Sequence, residues 1–486
     1  MRTALFLLFG FFLPLSWAQD AADSVLRVNS TRQSYSASQP WQKNNPARRS
    51  GLGCLLPGNK VLTTAALAAN SIYLELETAD RARTLTARIE AIDYEANLAL
   101  LTPTAGPGFL SEMTPTDLSP PVIPGDQLSV IQLEDNGTAQ RTTGTIRAVT
   151  LKSTFLANRY FLTYEMKASM QSSASSFTLP AFNNNRLAGV LTSYDNKDQL
   201  SDLIAIDIIR AFLNDAADGT YTGFPSLGVG YASTEDRNFR KWLKLPEDQG
   251  GLFIDRILDG GAAQEAGLQK GDVLLAIDQQ PIDRRGYFQH PDYGTLFWVH
   301  LIGGARQSGD TVTLSILRDG KTMEIPVTLT RRPPSLIPHH LYDQAPPYLI
   351  KGGLVFQELS RPYLKAFGKD WAKRAPLNLL DILSNPSDYD DQRRKVVVLT
   401  RVVPTEATIG YDSLSNHVIE SINGKIIAGI PEAIAAFEKV PENGLHKIVT
   451  DTKPFELFLD ENLADRVDQQ FLQSGLPGLS RSYPVP

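Results

Sequence analysis

Short apolar runs recur from residue 25 to residue 190, each bounded by Gly, Pro, Asn or Asp. Residues 25–28, 72–76, 85–92, 98–101, 128–131 and 161–164 are the clearest. Runs this short and this closely spaced, with little helical periodicity, predict an antiparallel barrel or sandwich. A helical pattern over 203–214 then closes the region before Gly219 and Tyr221. The punctuation is densest in 250–282, GGLFIDRILDGGAAQEAGLQKGDVLLAIDQQPI. An apolar run (252–258) leads to a small-residue turn at Gly260, Gly261 and Ala262. A short helix near 263–266, a Gly267-Leu268 stop, a Gly271-Asp272 turn and a second apolar run (273–277) come next. That order predicts strand, short helix, turn and strand.

The same pattern returns 145 residues later, without gaps. Arg256 falls on Arg401, Ala262 on Ala407, Val273 on Val418, Ile277 on Ile422 and Ile282 on Ile427. A second, diverged copy of one module is expected, with Gly267 and Gly271-Asp272 replaced by Asp412 and Asn416-His417. Between the copies, Arg331-Arg332-Pro333-Pro334 to Pro338 reads as a linker, because consecutive prolines continue neither strand nor helix. The expected division is 1–18 leader, 19–221 first domain, 222–331 first module, 332–344 linker, 345–465 second module and 466–486 flexible tail.

Composition adds compartment and excludes some partners. The chain has 486 residues, 42% apolar and 21% charged, enough for about three domains. Arg2, an apolar run over 4–15 and Ser16-Trp17-Ala18 have the form of a secretory signal peptide, too short to span a membrane. The expected location is the bacterial periplasm. The single Cys54 allows no intramolecular disulfide and reads as a core residue. A net charge of −6 without a basic stripe argues against nucleic acid. His339-His340 has no companions at zinc-ligand spacing and no phosphate-cradling glycine loop occurs, so neither metal nor cofactor is expected.

The 250–282 stretch resembles the core of a PDZ domain, the peptide-binding module of HtrA/Deg serine proteases. Ser50-Gly51-Leu52-Gly53 with Val61-Leu62-Thr63-Thr64-Ala65 is similar to the strand and turn carrying that family's catalytic His. Asn97-Leu98-Ala99-Leu100-Leu101 resembles its Asp-Leu-Ala-Leu-Leu segment. Leu179-Pro180-Ala181-Phe182-Asn183 and Leu187-Ala188-Gly189-Val190 resemble the residues just after its Gly-Asn-Ser-Gly-Gly nucleophile motif. Pro40-Trp41-Gln42 and Gly223-Phe224-Pro225 look most like the Deg9-like branch. The resemblance implies a mainly β fold, a trypsin-like double β-barrel followed by two PDZ-like α+β domains.

It also exposes what the head lacks. A serine protease needs a hydroxyl nucleophile, an imidazole base and a carboxylate that orients the imidazole. All six His residues lie beyond residue 289. Ala66 stands where the family has its His and Asn97 where it has its Asp. The nucleophile position falls on Ser176 or Phe177, according to which flank is aligned, and the Gly-Gly that shapes the oxyanion hole is absent. The resemblance therefore implies no catalytic residues. The rival is an active serine endopeptidase with a rearranged site, using Ser175 or Ser176 with Lys167 or with His290 from the module.

A PDZ domain adds an extended chain end to a sheet edge, and backbone N–H groups capture its carboxylate. In the HtrA arrangement the capturing residues here are Ser226, Leu227, Gly228 and Val229. The facing wall is a helix over 295–302, with Leu296, Phe297, Val299 and His300. Gly352, Gly353 and Leu354 are the counterparts in the second copy. The expected function is a non-proteolytic HtrA/Deg-like protein that binds peptide or unfolded-protein segments in protein quality control, as chaperone or adaptor. The resemblance also implies homo-oligomers built on trimers, or a complex with an active Deg protease.

Overall fold

The computed structural model describes residues 20–153, 155–156, 159–170, 178–304, 306–389 and 393–483. The expected leader, residues 1–18, lies outside them, as do residues 172–177 and with them the nucleophile position. Two closed six-stranded barrels form the head, from Val25–Arg32 to Leu98–Pro103 and from Gln127–Leu133 to Leu200–Ala205. The fold is mainly β, as expected. Each apolar run becomes a strand because its alternate side chains fill a barrel: Leu26, Val28, Leu55, Val61, Leu74, Leu76 and Leu101 fill much of the first. A strand legible only in retrospect is Ala139–Lys152, whose burial alternates through polar residues. Helix Ile206–Asp215 begins three residues later than its pattern, because Leu203, Ile204 and Ala205 still pair with the neighbouring strands of the second barrel.

The first module is a sheet in the order Val229–Ser233, Leu252–Ile257, Val273–Ile277, Thr311–Arg318, Lys321–Thr328. The second repeats that order with Leu354–Glu358, Val397–Val402, His417–Ile422, Leu445–Thr450, Glu456–Asp460. The 145-residue shift survives as register: Phe253 faces Val273, and Val398 faces Val418. The counterpart of helix Ala262–Glu265 is a set of turns around Thr408, so the copies diverge where the glycines were replaced.

Two expectations need correction. Thr295–Phe297 is strand, not helix: Gly294–Phe297 forms a hairpin with Tyr287–His290, and only Val299–Gly303 is helical. The tail beyond residue 465 is also ordered in part. Glu461–Gln473 is one helix, started by the Asp460 carboxylate on the Leu463 N–H and anchored by buried Ala464 and Val467. Ser480–Arg481 then pairs with Tyr348–Lys351.

Candidate functional site

Ala66 and Asn97, which the resemblance sets at the family's His and Asp, are joined by a hydrogen bond in the first barrel. Ala66 lies in the one-turn helix Ala65–Ala68 that comes after strand Lys60–Thr63. Asn97 is 3% exposed and adopts φ of 59°, a left-handed conformation that Asn tolerates better than most residues. Its Oδ1 accepts the Ala66 N–H at 2.8 Å. Asn97 thus ties down the backbone of the Ala66 turn. Arg49 donates to the Ala66 carbonyl at 3.1 Å. The buried hydroxyls of Thr64 and Thr178 are 2.9 Å apart, and Leu52 N–H donates to Thr178 C=O at 3.1 Å, which closes the two barrels together just after the nucleophile segment. Asp93 fixes the turn, accepting from Ala96 N–H at 2.6 Å and from the Tyr221 hydroxyl at 2.8 Å.

Of the residues of the rearranged-site alternative, Lys167 and His290 are among the described ones, and Ser175 and Ser176 lie outside them. Lys167 is exposed and donates to the Asp198 carbonyl at 2.5 Å. His290 Nδ1 accepts the N–H groups of Asp292 and Tyr293, and its ring stacks on Tyr293 at 4.5 Å.

A feature that sequence reasoning missed is the docking of the linker on the first barrel. Asp343 accepts the Asn70 N–H at 2.8 Å while Asn70 Oδ1 accepts the Asp343 N–H at 2.8 Å. The Tyr94 hydroxyl donates to the second Asp343 oxygen. The rings of Tyr94, His340, Tyr342 and Phe155 pack at 5.0–5.3 Å between neighbours. Burial lowers the His340 pKa to about 4 and, with Asp343, pushes the Tyr94 hydroxyl well above its usual range. Tyr94 precedes Asn97 by three residues and Asn70 lies just past the Ala66 helix, so this latch sits beside the bond between Ala66 and Asn97. The signal was a cluster of aromatic residues within a segment read only as proline spacer.

The two modules treat their edge strands differently. In the first, Val229–Ser233 pairs on one side with Leu252–Ile257, and among the described residues no strand covers its other side. Gly228 adopts φ of 76° and lies against Gly261, where an added Cβ would meet the Gly261 Cα at 3.2 Å. Its N–H donates to Ser226 Oγ at 3.2 Å. Leu227 is buried in the module core and Val229 packs on it.

The expected facing wall is corrected in part. Leu296 is 1% exposed and belongs, with Phe288 and Tyr293, to the core of the second barrel. His300 is 6% exposed, its pKa lowered to about 4 by burial and by nearby His290. The resemblance sets both in the groove wall. The hairpin instead turns Leu296 into the joint between module and head, where the Tyr293 hydroxyl donates to Asp207 at 3.0 Å, and His300, on helix Val299–Gly303, packs 5.8 Å from His290 of that hairpin. Val299 packs on the module core. Beside the open edge stand Tyr231 and Phe297, with ring centroids 5.7 Å apart.

The second module departs further. Gly352 and Gly353, with φ of 61° and 108°, turn the hairpin that joins Tyr348–Lys351 to Leu354–Glu358. The chain's own strand therefore occupies the edge a ligand would take, and Ser480–Arg481 covers that strand in turn. Leu354 is wholly buried, and the Gly352 N–H donates to the buried carboxylate of Asp468 at 2.8 Å. Gly352, Gly353 and Leu354 are thus a closed hairpin, not a groove. Trp41, from the loop after the first strand of the head, packs on Tyr348 at 5.8 Å and beneath Arg401 at 5.2 Å.

The fold and its modules match known proteins. Two PDZ domain models match, one at residues 226–286 and another at 337–475. The Arabidopsis thaliana "Putative protease Do-like 3, mitochondrial" is 25% identical over 83% of this chain and 70% of its own length. "Protease Do-like 4, mitochondrial" of the same plant is 28% identical over 71% of this chain and 66% of its own. The chain spans about two thirds of the length of these curated relatives. A solved structure of a variant of the HtrA-type protease AlgW with a decapeptide superposes with a TM-score of 0.50 at 18% identity, over 64% of this chain and 95% of that one. The chain belongs to the HtrA/Deg (Do-like) serine protease family with PDZ domains.

Proposed function

We propose that this chain is a secreted, non-proteolytic HtrA/Deg homologue whose first PDZ domain captures extended peptide or unfolded-protein segments. The observation that carries the reading is the asymmetry of the two PDZ edges. Strand Tyr348–Lys351 lies antiparallel on Leu354–Glu358, with its C-terminal end at the glycines of the loop. Register equates Leu354 with Val229 and Gly353 with Gly228, because Leu354 faces Val402 as Val229 faces Ile257. A ligand strand laid on Val229–Ser233 in the same sense would bring its C-terminus to Gly228. Peptides are also named with the HtrA-type AlgW structure. Loss of proteolysis is supported by the absence of any His before residue 290 and by the engagement of Asn97 with Ala66. A periplasmic location, trimer-based homo-oligomers or pairing with an active Deg protease, and a role in protein quality control complete the reading.

Two measurements test it. Casein incubated with the purified protein should remain intact; cleavage abolished by Ser175→Ala or Ser176→Ala would establish the endopeptidase instead. Peptides with free C-termini should bind at micromolar to millimolar affinity, and Gly228→Asp should weaken them by at least about tenfold, since it places a like charge beside the terminal carboxylate. Binding that Gly228→Asp leaves unchanged would place the ligand elsewhere.

A further inference from the structure

The face of the first PDZ domain opposite its main core carries a second, small apolar cluster. Leu245, Val273, Leu275 and Leu317 form it, with Leu243 and Phe253 packed alongside. Helix Arg237–Trp242 lies against this cluster, with Phe239 against Phe253 at 5.0 Å. Arg240 is buried and donates to the carbonyls of Thr234, Pro246, Glu247 and Gln249, which pins the helix in place. Asp236 is consumed as the cap on the Phe239 N–H. What the helix then presents is Trp242, 70% exposed and stacked on Phe239 at 5.9 Å and 11°.

Exposed cations flank that indole in the sequence. Residues 237–245, RNFRKWLKL, hold four cations and no acid in a chain whose net charge is −6. Arg240 is internal, which leaves Arg237, Lys241 and Lys244 on the surface. The Lys244 stem lies close to Gly320, at the turn that also carries exposed Lys321. Glu247 and Asp248 belong to the next turn, on the side of Arg240.

We propose that this patch docks the protein on an anionic phospholipid surface, with Trp242 at the headgroup level and Arg237, Lys241 and Lys244 on the lipid phosphates. An indole is amphipathic and favours that depth, and each cation near an anionic leaflet adds attraction that salt screens. The charge of the patch, opposite in sign to the rest of the chain, selects this occupant. Docking is peripheral, because one aromatic pair on a rigid six-residue helix reaches no farther than the interface. The helix follows the open edge strand by three residues, and Phe253 beneath it pairs with Ala232 of that strand.

The test is cosedimentation of the full chain with vesicles of phosphatidylglycerol and phosphatidylcholine in equal parts. Binding is expected with these vesicles, little with phosphatidylcholine alone, and progressively less as salt is raised. Trp242→Ala should weaken it by about tenfold or more. Lys241→Gln and Lys244→Gln should each weaken it by about fivefold. Lys425→Gln, an exposed lysine on the second PDZ domain, should change nothing. Equal binding to the neutral vesicles, or no effect of Trp242→Ala, would overturn the proposal. Displacement by millimolar inorganic phosphate would reassign the patch to free phosphate. Self-association that disappears in Trp242→Ala, seen by sedimentation without vesicles, would reassign it to a contact between copies.

Discussion

Replacing Asp343 by Gly isolates what the linker latch is worth. Asp343 adopts φ of 54°, so Gly keeps the backbone without strain, whereas Ala would add a conformational cost of its own. The change removes two acceptors at once, those of the Asn70 N–H and the Tyr94 hydroxyl. It spares the reverse bond from the Asp343 N–H to Asn70. A hydrogen bond to a charged group contributes about 1.5–3 kcal/mol when buried. Asp343 is exposed, so solvent reduces the pair to roughly 2 kcal/mol together. Tyr94, Tyr342 and His340 lose the anchor of their stack but keep their contacts. The expected readout is local opening: amide exchange over 338–347 and 94–97 accelerating about thirtyfold, while the second barrel exchanges as before. Exchange unchanged at 338–347 would mean that the aromatic stack alone holds the linker. Exchange accelerated equally throughout would mean that the latch belongs to the global fold.

Two further outcomes rest on buried groups. His300 and His340 have pKa values lowered to about 4 against about 6.5 for free imidazole, so the unfolded chain takes up their protons first. Stability is complete above about pH 6.5 and falls as pH drops toward 4; for His300 the full loss is on the order of 3 kcal/mol. His300→Gln should flatten that slope in a urea titration across pH, and an identical slope would refute the assignment. Leu296→Ala should cost about 2–5 kcal/mol, because its side chain fills the second-barrel core. The head and the first PDZ domain should then lose stability together, while the affinity for C-terminal peptide per folded molecule stays constant. A specific loss of peptide affinity at unchanged melting temperature would restore Leu296 to the groove.

What the sequence made legible divides along a physical line. Apolar runs bounded by glycine and asparagine announced the barrel strands, because one buried face enforces a period of two whatever the neighbours are. The 145-residue echo located the second PDZ domain for the same reason. Contacts between domains left weaker traces. The resemblance set Leu296 and His300 in a helical groove wall, and only the pairing with Tyr287–His290 decides that Leu296 faces the second barrel. Gly352-Gly353 resembled Leu227-Gly228 as a glycine loop, yet a two-residue hairpin makes the same demand for positive φ. Nothing local separates those uses; the deciding fact is Tyr348–Lys351, an apolar run just upstream with the length of a strand. Asp343 and Tyr94 are 249 residues apart and carry no shared pattern at all.

The sealed edge and the latch bear on the same question, which surface of this chain is left for a partner. A strand added to Leu354–Glu358 would have to displace Tyr348–Lys351, a covalently attached competitor whose effective concentration exceeds that of any free peptide. Tyr348 is further held by Trp41 and by Arg481, whose guanidinium lies 5.3 Å above its ring. Asp343 and Tyr342 cover the first barrel at Asn70 and Tyr94. Val229–Ser233 faces no such competitor among the described residues, and its loop keeps the left-handed Gly228 that lets an N–H turn toward a carboxylate. Selectivity among the three surfaces is thus a matter of intramolecular competition, and it predicts an order of reactivity. Removing Ser480–Arg481 should leave the second edge closed, because Tyr348–Lys351 still covers it. Only substitutions that break that strand's own pairing, such as Ile350→Pro, should make the second PDZ domain compete with the first for one peptide.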